Sequence, residues 1–139
     1  MNVHQSAAKG LHYKPWGDHR RSPVVMVLQN ERFYADFLED MLAAMGFSVG
    51  GAFCRCSDTE EWLRSESPDV AVIDAEVQDG RCRDIAGTLR ARGVPFVVYS
   101  TMPIIEPVSD RVLGHGTFLK KPSSRRKMLA AVRAAVARR

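Results

Sequence analysis

The chain has 139 residues, 45% of them hydrophobic and 26% charged. That supplies one ordinary globular core and excludes a collagen-like, low-complexity or fully disordered chain. The formal net charge of +4 hides three blocks: residues 1–22 carry four Lys/Arg against one acid, residues 23–119 eight against fifteen, and residues 120–139 eight with no acid. An acidic body between two basic ends bears on partners and solubility, not on fold. No stretch approaches the ~20 apolar residues of a membrane span. Residues 1–22 also lack the apolar core of a secretory signal, so a cytoplasmic chain without membrane contact is expected. Cys54, Cys56 and Cys82 are an odd number without CxxC spacing, which points to reduced thiols. Cys54 and Cys56 fit one face of a strand, but no second His or Cys pair stands nearby to complete a metal site.

Residues 1–22 mix Gly10, Pro15 and Gly17 with His4, His12, His19 and scattered bases, and show no apolar period. They read as a flexible basic arm ahead of a folded unit spanning 23–139. Val24 to Leu28 is a continuous apolar run, the mark of a strand buried on both faces. After Gln29-Asn30-Glu31, the residues Tyr34, Phe37, Leu38, Met41, Leu42 and Met45 form one helical stripe, ended by Gly46 as a C′ glycine. Phe47 to Phe53 is a second strand with Gly50-Gly51 inside it. Ser57 and Glu60 have capping-box spacing and open a helix through Trp62 and Leu63. Val70 to Ile73 is a third strand, ending at Asp74.

A loop with Asp79-Gly80 leads to a helix carrying Ile85, Ala86 and Leu89 and stopped by Gly93. Val94 to Tyr99 is a fourth buried strand, ending at Ser100-Thr101. Pro103, Pro107 and Gly114 keep any helix in 102–115 short. Thr117 to Leu119 is a fifth strand, followed by Lys120-Lys121-Pro122. Ser123 or Ser124 caps a last helix with Met128, Leu129, Val132 and Val136 on its apolar face. Strand and helix thus alternate five times through short connections. The fold class is α/β, a doubly wound five-stranded parallel sheet of order 2-1-3-4-5, flavodoxin-like.

Ligand sites in such sheets lie beyond the carboxyl ends of the strands. The residues there are Gln29-Asn30, Asp74, Ser100-Thr101 and Lys121. A carboxylate, a hydroxyl and a lysine at one rim suit phosphoryl chemistry: Asp74 as nucleophile, Ser100 as hydrogen-bond donor, Lys121 as a point charge on phosphate. Each alone is a common turn or cap residue; at three strand ends of a five-unit chain they are more specific.

With those residues in place, the region from about Val24 to Val136 resembles the receiver domains of bacterial response regulators. The motifs that carry the resemblance are Val70-Ala71-Val72-Ile73-Asp74, Phe96-Val97-Val98-Tyr99-Ser100 and Lys120-Lys121-Pro122. The resemblance implies that Asp74 accepts phosphate from the phosphohistidine of a histidine kinase or phosphotransfer protein. It implies that Ser100 is the switch hydroxyl, Lys121 the phosphate contact and Phe118 the aromatic switch, with a raised prior for a cis Lys121–Pro122 bond. It also implies a signalling domain rather than an enzyme, with output to a downstream protein target.

Two departures stand out. The family places two acids after strand 1 that bind Mg²⁺ together with the phosphoacceptor; here the positions hold Gln29 and Asn30. Their carbonyl oxygens hold a hard dication far more weakly than carboxylates do, and Glu31 belongs to the following helix. Mg²⁺ would find Asp74 with Glu76 at most. Asp74 and Lys121 can instead pair without a metal, which keeps the carboxylate ionised. The second departure is Arg125, Arg126 and Lys127 in the first turn of the last helix, where the helix dipole favours acids. A broken local preference often marks function, here a partner face.

The functions compared are therefore a single-domain receiver in two-component or phosphorelay signalling and a degenerate receiver that binds protein without phosphate. Beside them stands a nucleic-acid-binding module using the basic last helix. No nucleic-acid motif or aromatic interleaving supports the last. A metal-dependent phosphotransfer enzyme lacks its acid cluster.

Overall fold

The computed structural model describes residues 22–81, 83–101 and 116–138. In chain order the elements are β1 (Val24–Leu28), α1 (Arg32–Ala44), β2 (Ser48–Phe53), α2 (Cys56–Leu63), β3 (Val70–Ile73), β4 (Glu76–Val77), β5 (Gly80–Arg81), α3 (Arg83–Ala91), β6 (Phe96–Ser100), β7 (Thr117–Lys120) and α4 (Arg125–Arg138). Residues 1–21 of the basic arm, Cys82, residues 102–115 and Arg139 lie outside the described residues.

Five strands form one sheet in the order β2-β1-β3-β6-β7, every neighbouring pair parallel. Counted over these five alone, the order is the expected 2-1-3-4-5. The alternation of side chains along each strand divides the core in two. Val25, Val27, Val72 and Val97 face one way and meet Leu38 and Leu42 of α1 and Met128 and Val132 of α4. Met26, Leu28, Ile73 and Val98 face the other way and meet Leu63 of α2 and Ile85 and Leu89 of α3. With apolar side chains needed on both faces, the strands carry continuous rather than alternating hydrophobic runs.

Four local expectations are corrected. Phe37 is 41% exposed, not part of the buried stripe; Ala35 takes its place with Leu38, Met41 and Leu42. The capping box at Ser57 and Glu60 does not form, because α2 starts earlier and Ser57 lies inside it. The Asp79 carboxylate caps this helix from a distance, accepting the backbone N–H of Cys56 at 2.6 Å and of Ser57 at 3.0 Å. The segment holding Asp79-Gly80 is not a plain loop: Glu76–Val77 and Gly80–Arg81 pair as an antiparallel hairpin. Cys54 and Cys56 do not share a strand face, since Cys56 opens α2; neither forms a disulfide.

Two glycines are dictated by geometry. Gly46 ends α1 at φ 97, a left-handed value that favours glycine. Gly50 sits where the β1–β2 register slips, Val25 opposite Val49 but Met26 opposite Gly51. A Cβ there would meet the Trp62 ring at 2.7 Å and Val24 Cγ1 at 2.9 Å, so the bulge accommodates the tryptophan.

Candidate functional site

The rim where β1, β3, β6 and β7 end is built by backbone register. Asp74 follows β3, and its N–H donates to the Leu28 carbonyl at 2.8 Å. Lys121 follows β7, and its N–H donates to the Ser100 carbonyl at 3.0 Å. Tyr99 stands opposite Leu119 in the β6–β7 pairing, two residues before Lys121, so Tyr99 and Lys121 share a face.

On that face Lys121 Nζ donates to Asp74 Oδ2 at 2.9 Å, and the Asn30 backbone N–H donates to the same oxygen at 3.3 Å. Both charged residues are only 5% exposed. The ammonium lies 4.2 Å from the centroid of the Tyr34 ring and 5.4 Å from that of Tyr99. The two rings meet edge to face at 6.0 Å. A carboxylate and two aromatic rings thus surround one cation, a charge-assisted hydrogen bond reinforced by cation–π attraction. The Tyr99 hydroxyl accepts the Ser123 N–H at 3.2 Å, and burial raises its phenol above the ordinary value of 10.0.

Ser100 and Phe118 belong to the opposite face. Val98 is opposite Phe118 and Ser100 opposite Lys120, so these side chains line up with the core beneath α2 and α3. Ser100 is buried, and Phe118 is half-buried against that core. The four expected site residues therefore reach the rim in two pairs, Asp74 with Lys121 and Ser100 with Phe118.

Gln29 is 0% exposed, and neither amide atom has a hydrogen-bond partner among the described residues. Asn30 contributes backbone instead: its N–H goes to Asp74, and its carbonyl accepts Gln78 Nε2 at 3.2 Å. Arg125, Arg126 and Lys127 stand exposed in the first turn of α4, with Ser124 Oγ accepting the Lys127 N–H at 3.1 Å. Of the two proposed caps, Ser124 serves.

No family model matches the sequence, and no curated protein matches it. Solved structures match by shape. The signal receiver domain of an HD domain-containing protein from Pseudomonas fluorescens Pf-5 has a TM-score of 0.75 at 13% identity, over 85% of this chain and 97% of that one. A two-component response regulator from Clostridium difficile gives 0.73 at 18%, over 85% and 98%. The receiver domain of a modulated diguanylate cyclase from Desulfovibrio desulfuricans G20 gives 0.72 at 20%, over 84% and 95%. The fold is that of the response-regulator receiver domains.

Within this receiver fold, the Lys121–Pro122 bond is cis, as the resemblance suggested. The donor set does not fit the Mg²⁺ that the fold family implies. The two positions after β1 supply no carboxylate, and Gln29 is sealed in the interior. Lys121 occupies Asp74 Oδ2, Glu76 stands exposed on the β4–β5 hairpin, and no group of three His, Cys, Asp or Glu among the described residues could hold a metal. A hard dication needs oxygen donors with negative charge, and one ion-paired carboxylate is a poor cage.

Sequence reasoning placed Tyr34 on an apolar stripe and Tyr99 at a strand end, and missed both as the walls around Lys121. The available signal was a tyrosine, rather than an aliphatic residue, at each position beside a buried lysine. The Asp79 cap was also missed, because it acts across 22 to 23 residues of sequence.

Proposed function

We propose that the chain is a receiver-type signalling domain of a two-component pathway that acts through protein contacts, with its rim held in one metal-free, ion-paired state. The observation that carries this reading is the buried Asp74–Lys121 pair at 2.9 Å, walled by Tyr34 and Tyr99, beside a neutral, buried Gln29. Placing a phosphoryl group on Asp74 would pull Lys121 from its partners and add negative charge. Among the described residues, Lys121 alone would stand there to neutralise it.

Supporting the partner class, an exposed basic first turn of α4 offers charge to an acidic protein surface. Histidine kinases, phosphotransfer proteins and downstream targets present such surfaces in this reading. The absence of a disulfide at Cys54 and Cys56 suits a cytoplasmic setting, and no helix among the described residues is long and apolar enough to cross a membrane.

A second reading is favoured by one specific observation: Asp74, Ser100 and Lys121 stand at three adjacent strand ends, with Lys121 already on an Asp74 oxygen. In that reading Asp74 takes a phosphoryl group from phosphohistidine, the nitrogen–phosphorus bond breaking as an acyl phosphate forms. Ser100 then acts as switch hydroxyl and Phe118 as aromatic switch.

Intact-mass measurement after incubation with acetyl phosphate and Mg²⁺ separates the two. The proposal expects no phosphoryl increment on the wild-type chain. It expects an increment on folded Gln29→Glu/Asn30→Asp that disappears when Asp74→Asn is added. An increment on the wild type that Asp74→Asn removes would overturn it and establish the phosphoacceptor reading. Binding to random-sequence DNA should be absent; steeply salt-dependent binding would instead support the nucleic-acid reading.

A further inference from the structure

Helix α1 turns an aromatic and acidic face outward. Apart from Arg32, which pairs with Asp36 at 3.3 Å, and two alanines at its far end, the exposed residues of α1 are Phe33, Asp36, Phe37, Glu39 and Asp40. Phe33 is 72% exposed and Phe37 41%, the exposed large apolar side chains among the described residues. They stand one helical turn apart and so form one patch. Neither Glu39 nor Asp40 has an ion-pair partner among the described residues. The last turn of α1 holds no basic residue to meet the negative end of the helix dipole.

The chain ahead of the fold ends beside this face. The Pro23 carbonyl accepts the Ser48 N–H at 2.9 Å, and Ser48 follows the end of α1 at Ala44 by one short turn. The residues before Pro23 therefore depart from the C-terminal end of α1. From Ala44, Phe37 lies about 10 Å and Phe33 about 17 Å back along the helix. Trp16 and Tyr13 precede Pro23 closely enough to reach both: an extended chain spans about 23 Å from Pro23 to Trp16 and about 33 Å to Tyr13. Residues 1–22 also carry Lys9, Lys14, Arg20 and Arg21 against Asp18 alone. The other helix over this side of the sheet, α4, begins with exposed Arg125, Arg126 and Lys127 and repels such a segment.

We propose that the outer face of α1 is the docking site of the chain's own basic segment, Lys9 to Arg21, bound in cis. Arg20 and Arg21, nearest the point of departure, supply the cations that the last turn of α1 lacks. Trp16 and Tyr13, farther along, cover the Phe33–Phe37 patch with aromatic surface. Lys14 lies between those two rings in sequence and adds charge opposite to that of Glu39 and Asp40. A second copy carries the same segment, but the tethered one is present at an effective concentration in the mM range and occupies the face first.

Acrylamide quenching of Trp16 tests this in the full chain carrying Trp62→Phe, so that Trp16 is the one tryptophan. A synthetic peptide of residues 1–22 gives the undocked limit. At an effective concentration in the mM range, the quenching constant of the full chain should be at least about threefold below that of the peptide, and unchanged on dilution. Phe33→Ser/Phe37→Ser should bring it to the peptide value, with unchanged far-UV circular dichroism because both positions are exposed. Glu39→Lys/Asp40→Lys should raise it as well, and adding Arg20→Glu/Arg21→Glu to that variant should lower it again. A full chain quenched like the peptide would overturn the proposal. So would protection that survives Phe33→Ser/Phe37→Ser and the charge reversal, which would put the segment elsewhere. Protection lost on dilution would overturn the cis arrangement and give the face to a second copy.

Discussion

Asp74 and Lys121 form the most consequential residue pair. Each costs several kcal/mol to take from water, and each offsets the other only while both are present. Lys121→Met leaves the Asp74 carboxylate buried with the Asn30 N–H as its remaining donor among the described residues. Urea unfolding should show a loss of about 3–5 kcal/mol. Adding Asp74→Asn should recover much of it, and additive losses would sink the coupled-pair description. Gln29 tests the other side of the same rim. Its amide is buried without a described partner, so the similarly shaped Gln29→Met should hold stability or raise it by about 1 kcal/mol. A loss of that size would show instead that the amide is held by polar partners.

At the scale of elements, helix capping separates what neighbours in sequence do from what the fold does. α4 is capped by Ser124, next to its own first residue. α2 is capped by Asp79, from the turn between β4 and β5. Ser124→Ala should cost about 1 kcal/mol, whereas Ser57→Ala should change stability by less than about 0.5 kcal/mol. A Ser57 effect as large as that of Ser124 would revive the local capping box. Asp79 also gives α2 a pH signature. The backbone hydrogen bond from Cys56, the largest cause, holds its carboxyl below the ordinary carboxylate value. A depressed carboxylate pKa contributes stability above the unfolded value, and that contribution is lost as pH falls through the folded value. The wild-type urea midpoint should therefore fall more steeply below about pH 4 than that of Asp79→Asn; parallel curves would remove the cap from the account.

At the scale of the whole molecule, one sheet joins two cores. Leu38 fills the side under α1 and α4, and Ile85 fills the side under α2 and α3. The same strands wall both, with Val25 and Val27 turned to one and Met26 and Leu28 to the other. Neither core can be lost alone without exposing the strands that hold the second. Leu38→Ala and Ile85→Ala should each cost about 2–5 kcal/mol, with far-UV and near-UV circular dichroism moving in a single transition. Separate transitions for the two variants would mean that the layers unfold independently.

The molecule also shows which features were legible beforehand. The continuous runs Val24 to Leu28, Val70 to Ile73 and Val94 to Tyr99 specify strands covered on both faces, because no other pattern buries two faces at once. Alternation with amphipathic helices then leaves few right-handed topologies, and β2-β1-β3-β6-β7 is the expected one. Strand ends are fixed by where those runs stop, so Asp74 and Lys121 could be placed at one rim and paired by charge. Tyr34 and Tyr99 became the walls of Lys121 only when α1 lay on β1 and β6 paired with β7. Gln29 became a sealed amide, and Asp79 the cap of a helix far from it in sequence, by the same kind of packing. Periodicity is a property of neighbours along the chain, and it sets the elements and their order. Which side chains meet around a buried charge depends on contacts between residues distant in sequence, and those exist only once the sheet and its helices have packed.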